Sequence, residues 1–140
     1  MAHLIVSFEL KTELGRLASP VSRPKGFVLF QRGGDVSGVF LIRKGKVCME
    51  LDAADGIYPP RTFGPDSILG LPATLSGTPY SLTAKTMEPS ELDFVPRQAV
   101  IDLLRDKPSL CFQVMALLSE EIVETRSTIK AADALTLVAR

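Results

Sequence analysis

The segment whose residue types could do most chemistry runs over residues 68–84, ILGLPATLSGTPYSLTA. Gly70 lets the backbone turn abruptly, and Pro72 suits the first turn of a short helix. The N–H groups of such a turn converge on one spot, which is how a helix start binds an anion. Ser76, Thr78 and Ser81 would add hydroxyl donors. The charges that would make a strong anion site are missing, because no Arg or Lys lies between Arg61 and Lys85. Leu71, Ala73, Leu75 and Pro79 suit a mostly apolar or neutral ligand instead. They equally suit a pocket filled by the protein itself, with Leu71 and Tyr80 turned into the interior. The candidate ligand-binding residues are therefore Gly70, Leu71, Ala73, Thr74, Ser76, Thr78, Tyr80 and Ser81.

Other constellations are poorer. A single histidine, His3, and two distant cysteines, Cys48 and Cys111, do not supply a zinc site or a four-cysteine cluster. The cysteines read as buried free thiols. With no histidine inside the domain, no serine or cysteine has a base to activate it. A β-barrel metalloenzyme would need several His and carboxylate ligands. We expect no catalytic residue, no metal and no cofactor.

Bulk properties narrow the classes further. The chain has 140 residues, 46% of them hydrophobic, enough for one folded core. Lys and Arg total 16, as do Asp and Glu, so the basic surplus usual in nucleic-acid binders is absent. No apolar run is long enough to span a bilayer, and no secretory signal is visible. A cytoplasmic protein with no membrane partner is the expectation.

The elements that must position the segment can be read from periodicity. Val6, Leu10, Leu14 and Leu17 recur at helical spacing, and Ser19-Pro20 and Arg23-Pro24 follow as stop signals. Short apolar runs at 27–30, 38–42 and 47–51 alternate with turns rich in Gly and Asp. Residues 58–63 carry Pro59-Pro60, so a strand there is broken or at an edge. Further strands are expected over 80–86 and 91–95. Gly34 and Gly45 are expected to take positive φ in tight hairpin turns. After Pro96 the pattern becomes helical, with Ala99, Val100, Leu103 and Leu104 on one side. Pro108 opens a longer helix whose apolar stripe is Cys111, Met115, Leu118, Ile122, Thr125, Ile129 and Ala132. That stripe outruns a small β-domain, so a dimer interface through Met115, Leu118, Ile122, Thr125 and Ile129 is expected. The fold class is mainly β: an antiparallel, jelly-roll-like β-roll with an N-terminal helix and a long C-terminal helix. Residues 1–106 form the roll and its flanking helices, and residues 107–140 the dimerisation helix.

The ordered set of motifs resembles the cyclic-nucleotide-binding domain of the Crp/Fnr regulators. Residues 29–35 resemble that family's Gly-Asp hairpin, and 39–47 its hydrophobic strand followed by x-x-Gly-x-Val. Residues 63–70 resemble the approach to its phosphate cassette, and 84–86 and 103–110 its closing strands and helices. The resemblance implies that Glu should follow Gly70 to hold the ribose, and that an Arg about ten residues later should hold the phosphate. Leu71 stands at the first position and Thr78 or Pro79 at the second, in a shortened cassette. DNA-binding members continue into a helix-turn-helix, whereas this sequence runs to Arg140, so DNA binding by this chain alone is not expected. The reading is a non-catalytic, homodimeric regulatory module that does not bind cyclic nucleotide tightly, its small ligand unknown. The alternatives are a protein-interaction module with a filled pocket, and a cyclic AMP or cyclic GMP receptor that uses backbone N–H contacts.

Overall fold

A computed structural model describes residues 6–50 and 60–119. Helix α1 (Phe8–Leu17) is followed by β1 (Ser19–Arg23), β2 (Val28–Phe30), β3 (Gly38–Lys44), β4 (Val47–Glu50), β5 (Arg61–Phe63) and β6 (Ile68–Leu69). Then come α2 (Leu71–Ser76), β7 (Thr83–Thr86), β8 (Ser90–Pro96) and α3 (Arg97–Asp106). Residues 108–119 are helical and are called α4.

The strands form two four-stranded antiparallel sheets, ordered β1-β8-β3-β6 and β2-β7-β4-β5. The mainly-β class with flanking helices is thus observed. Strand β3 explains the layering, because its side chains alternate between two cores. Val39 and Leu41 join Leu10 and Leu14 of α1 and Val100 and Leu103 of α3. Phe40 and Ile42 face Val47, Phe63, Ala84 and Leu92 between the sheets. A strand buried on both faces reads as an unbroken apolar run, which is how residues 38–42 look in the sequence.

The helices are fixed at their ends. Ser7 caps α1 by accepting from Leu10 N–H at 3.2 Å. Its hydroxyl donates to Gln113 Oε1, and Gln113 Nε2 donates to Glu9 Oε2 at 3.2 Å, tying α4 to the start of α1. Lys107 Nζ lies 3.0 Å from Glu13 Oε1, and that bond holds the Glu13 carboxyl below its ordinary pKa. From α4, Leu110, Val114 and Leu117 enter the helix-side core.

Several expectations are corrected. Helix α1 does stop at Leu17, before Ser19-Pro20, but a strand that was not expected follows: β1 contains Pro20 and pairs with β8 alone, an edge position that tolerates proline. Leu17 leaves the stripe of α1 and is 42% exposed. Helix α3 begins at Arg97, with Pro96 as its N-cap, where the sequence pattern turns helical. The positive φ of the 31–35 turn belongs to Gly33 (82°), not Gly34. Cys111 is half-buried, whereas Cys48 is buried and burial, with Glu50 nearby, pushes its thiol pKa up.

Gly45 does take positive φ (107°), and a Cβ there would lie 2.2 Å from Ser90 Oγ and 2.8 Å from Ser90 Cα. The β3–β4 turn therefore presses against the start of β8. Gly45→Ala is expected to lower the unfolding free energy by about 2 kcal/mol or more. Urea denaturation checks this, and an unchanged midpoint would show that the contact relaxes freely.

Candidate ligand-binding site

The candidate segment begins where β6 stops. Ile68 points to the helix-side core and Leu69 to the core between the sheets. Gly70 then turns in the left-handed region (φ 85°) and serves as N-cap of α2 without a capping side chain. Pro72 occupies the first turn of α2, as its missing N–H permits. A second left-handed glycine, Gly77 (φ 70°), ends the helix and donates its N–H to Ala73 O at 2.8 Å.

The fold divides the eight candidate residues. Gly70, Leu71, Ala73, Thr74 and Tyr80 are buried, whereas Ser76, Thr78 and Ser81 are exposed. Leu71, 3% exposed, packs into the helix-side core beside α1 and α3. Ala73 and Tyr80 belong to the core between the sheets. Both large side chains are turned inward, as a filled pocket requires, but Leu71 goes to the opposite side from Tyr80 and not into the roll. The buried Thr74 hydroxyl donates back to Gly70 O at 2.7 Å. Ser76 donates to Pro72 O at 2.8 Å and lies 2.6 Å from the Thr78 hydroxyl. These hydroxyls therefore bond within the segment.

Tyr80 is the centre of the arrangement. It is not in a strand: β7 starts only at Thr83, so residues 80–82 depart from the expected strand. Its ring stacks on Phe30 with centroids 4.0 Å apart and planes 15° apart. The phenol donates to Gly38 O at 2.8 Å and accepts from the N–H groups of Gly38 (3.2 Å) and Ser37 (3.1 Å). The backbone adds two bonds, Gly33 N–H to Tyr80 O at 2.7 Å and Tyr80 N–H to Gly34 O at 3.0 Å. A Cβ on Gly70 would lie 3.0 Å from Tyr80 Cε1 and 3.7 Å from the Phe30 ring, so these rings take the space beside the left-handed turn. That is a reason for glycine here in addition to φ.

Two cations approach that the linear reading did not weigh. Arg97, at the start of α3, donates its Nε to Thr74 O at 2.8 Å, and its guanidinium lies against Gly77. It satisfies a carbonyl at the end of α2, the usual service of a basic group at a helix C-terminus. Arg61 stands opposite Met49 in β4, on the face of the sheet that Met49 and Ala84 turn to the core. Its guanidinium lies 5.2 Å from the Phe63 ring centroid, with Nε and Nη2 buried. The signal was present in the sequence: if Phe63 faces inward, so does Arg61 two residues before it.

The expected dimer stripe is split. Met115 is 55% exposed, next to Phe112 at 74%, and Leu118 packs partly against the helix-side core. Ile122, Thr125 and Ile129 lie outside the described residues.

Comparison with known proteins follows the same lines. The family described as cyclic nucleotide-binding domain matches residues 20–107. No curated protein matches. Among solved structures, the catabolite activator protein of Thermus thermophilus is 23% identical, with a TM-score of 0.74 over 94% of this chain and 62% of that one. The sensor domain of the transcriptional regulator DNR of Pseudomonas aeruginosa is 21% identical, with a TM-score of 0.65 over 82% and 78%. A structure from work on a cyclic-GMP-dependent signalling pathway that regulates bacterial phytopathogenesis is 20% identical, with a TM-score of 0.74 over 90% and 98%.

Proposed function

Because the chain belongs to the cyclic nucleotide-binding domain family, we propose that it is a non-catalytic, homodimeric regulatory module whose nucleotide cassette is closed by its own side chains. The observation that carries this reading is the Tyr80 ring, 3% exposed and stacked on Phe30 beside the Gly70 turn, with Leu71 withdrawn into the helix-side core. A ribose hydroxyl needs an acceptor and a cyclic phosphate needs a cation. Leu71 offers no acceptor. Residues 68–84 contain neither Arg nor Lys. Signal transfer would then run through α4 and residues 107–140, the proposed dimerisation element, and not through cyclic nucleotide occupancy. The activator and the sensor domain named above belong to regulators, and fold similarity to them supports a regulatory class without identifying a ligand.

The dimer half of the proposal draws on Phe112 and Met115, adjacent on the outer side of α4 with large apolar side chains in solvent. Sedimentation equilibrium is expected to give a dimer mass, with Met115→Glu weakening self-association at least about 30-fold. A monomer mass for the unsubstituted protein at high concentration would contradict this half.

A further inference from the structure

Three turns meet at one end of the roll: residues 24–27 between β1 and β2, 45–46 between β3 and β4, and 87–89 between β7 and β8. Backbone bonds hold them together. Gly26 N–H donates to Thr86 O at 2.8 Å, Thr86 N–H to Phe27 O at 2.9 Å and Met87 N–H to Lys46 O at 2.8 Å. The Thr86 hydroxyl donates to Pro24 O at 2.6 Å and accepts from Phe27 N–H at 2.8 Å. This hydrogen-bonded end carries apolar side chains: Phe27, Val28 and Met87 are 40%, 38% and 46% exposed.

Cations surround them. Lys25, Lys46 and Lys85 are exposed, and the Arg23 guanidinium lies 4.8 Å from the Phe27 ring centroid. Val28 and Lys85 are direct partners across β2 and β7, so they stand side by side on one face. Lys85 also lays its stem along Gly26, with Cε 3.9 Å from the Cβ position there. Among the described residues, no ion pair involves Lys25, Lys46 or Lys85. Glu50 and Glu88 stand near the cluster in the chain and on the neighbouring strand. A protein of zero formal net charge thus gathers four cations around one apolar group.

We propose that this end of the roll docks on an anionic lipid surface. Lysine ammoniums are compact, strongly hydrated charges that suit a diffuse field of headgroup phosphates, while their stems lie along apolar material. Phe27, Val28 and Met87 supply the second, apolar signal that stable peripheral attachment needs. Protein interfaces are depleted in lysine, and nucleic-acid phosphates gain nothing from Val28 or Met87. The expectation of no membrane partner rested on the absence of a spanning segment, and docking on a surface requires no span.

Co-sedimentation with vesicles tests the proposal, using phosphatidylcholine alone and phosphatidylcholine with roughly one-third phosphatidylglycerol. Binding is expected only with phosphatidylglycerol present, and it should fall steeply as salt rises. The triple charge variant Lys25→Glu, Lys46→Glu, Lys85→Glu should lose about tenfold or more in affinity. Phe27→Ser with Met87→Ser should weaken binding without changing the circular dichroism spectrum. No binding to the anionic vesicles, or unchanged binding by the charge variant, would overturn the proposal. So would tighter binding to a single-stranded oligonucleotide that depends on the lysines but not on Phe27 and Met87, which would assign the surface to nucleic acid.

Discussion

Tyr80→Ala is expected to lower the unfolding free energy by about 3–5 kcal/mol, in the range found when a buried aromatic is truncated to alanine. The side chain is 3% exposed, stacked on Phe30 and bonded to the Gly38 carbonyl and to the Ser37 and Gly38 N–H groups. Its removal leaves a cavity in the core between the sheets and unpairs backbone groups at the start of β3. Tyr80→Phe separates the contributions, because it keeps the ring and removes the phenol, at about 1–3 kcal/mol. The readout is urea denaturation followed by circular dichroism, since the chain has no tryptophan. A loss below about 1 kcal/mol for Tyr80→Ala would show that the ring does not hold the cassette shut.

The second large effect concerns affinity. The cassette itself offers a cyclic nucleotide's phosphate no Arg or Lys, since none lies between Arg61 and Lys85 in the sequence. Leaving one member of a buried charge pair alone costs about 2–5 kcal/mol, which is roughly 30-fold to several thousand-fold in affinity. Leu71 adds the loss of a ribose acceptor, and its place in the helix-side core leaves that side chain unavailable to a ligand. A site of about micromolar affinity would become millimolar or weaker. Arg97 is held at the C-terminal end of α2, through Thr74 O and against Gly77, and not at the Gly70 turn where the helix begins.

How far the sequence led can be judged at particular residues. The β-roll was legible because Phe40, Leu41 and Ile42 form a run that only a doubly buried strand needs, and because Gly45 marks a turn. Strand β1 was hidden by Pro20, which is a stop signal in a helix or a central strand but is acceptable at an edge. The closing of the cassette was half legible. Burial of Leu71 and Tyr80 follows from their apolar bulk, but the sides they take depend on the left-handed turn at Gly70 and on where the chain lies after Gly77. No local pattern encodes the bonds from Tyr80 to Gly38, which is 42 residues away. Arg61 and Arg97 were passed over for a related reason: register and helix packing, which are non-local, bring them to the core face and to the end of α2.

Isothermal titration of the intact protein with cyclic AMP and with cyclic GMP tests the central claim most directly. A cassette filled by Tyr80 on Phe30, with Leu71 turned away into the helix-side core and no Arg or Lys within residues 68–84, predicts no saturable heat at submillimolar concentrations of either nucleotide. A dissociation constant in the micromolar range for either one would contradict it.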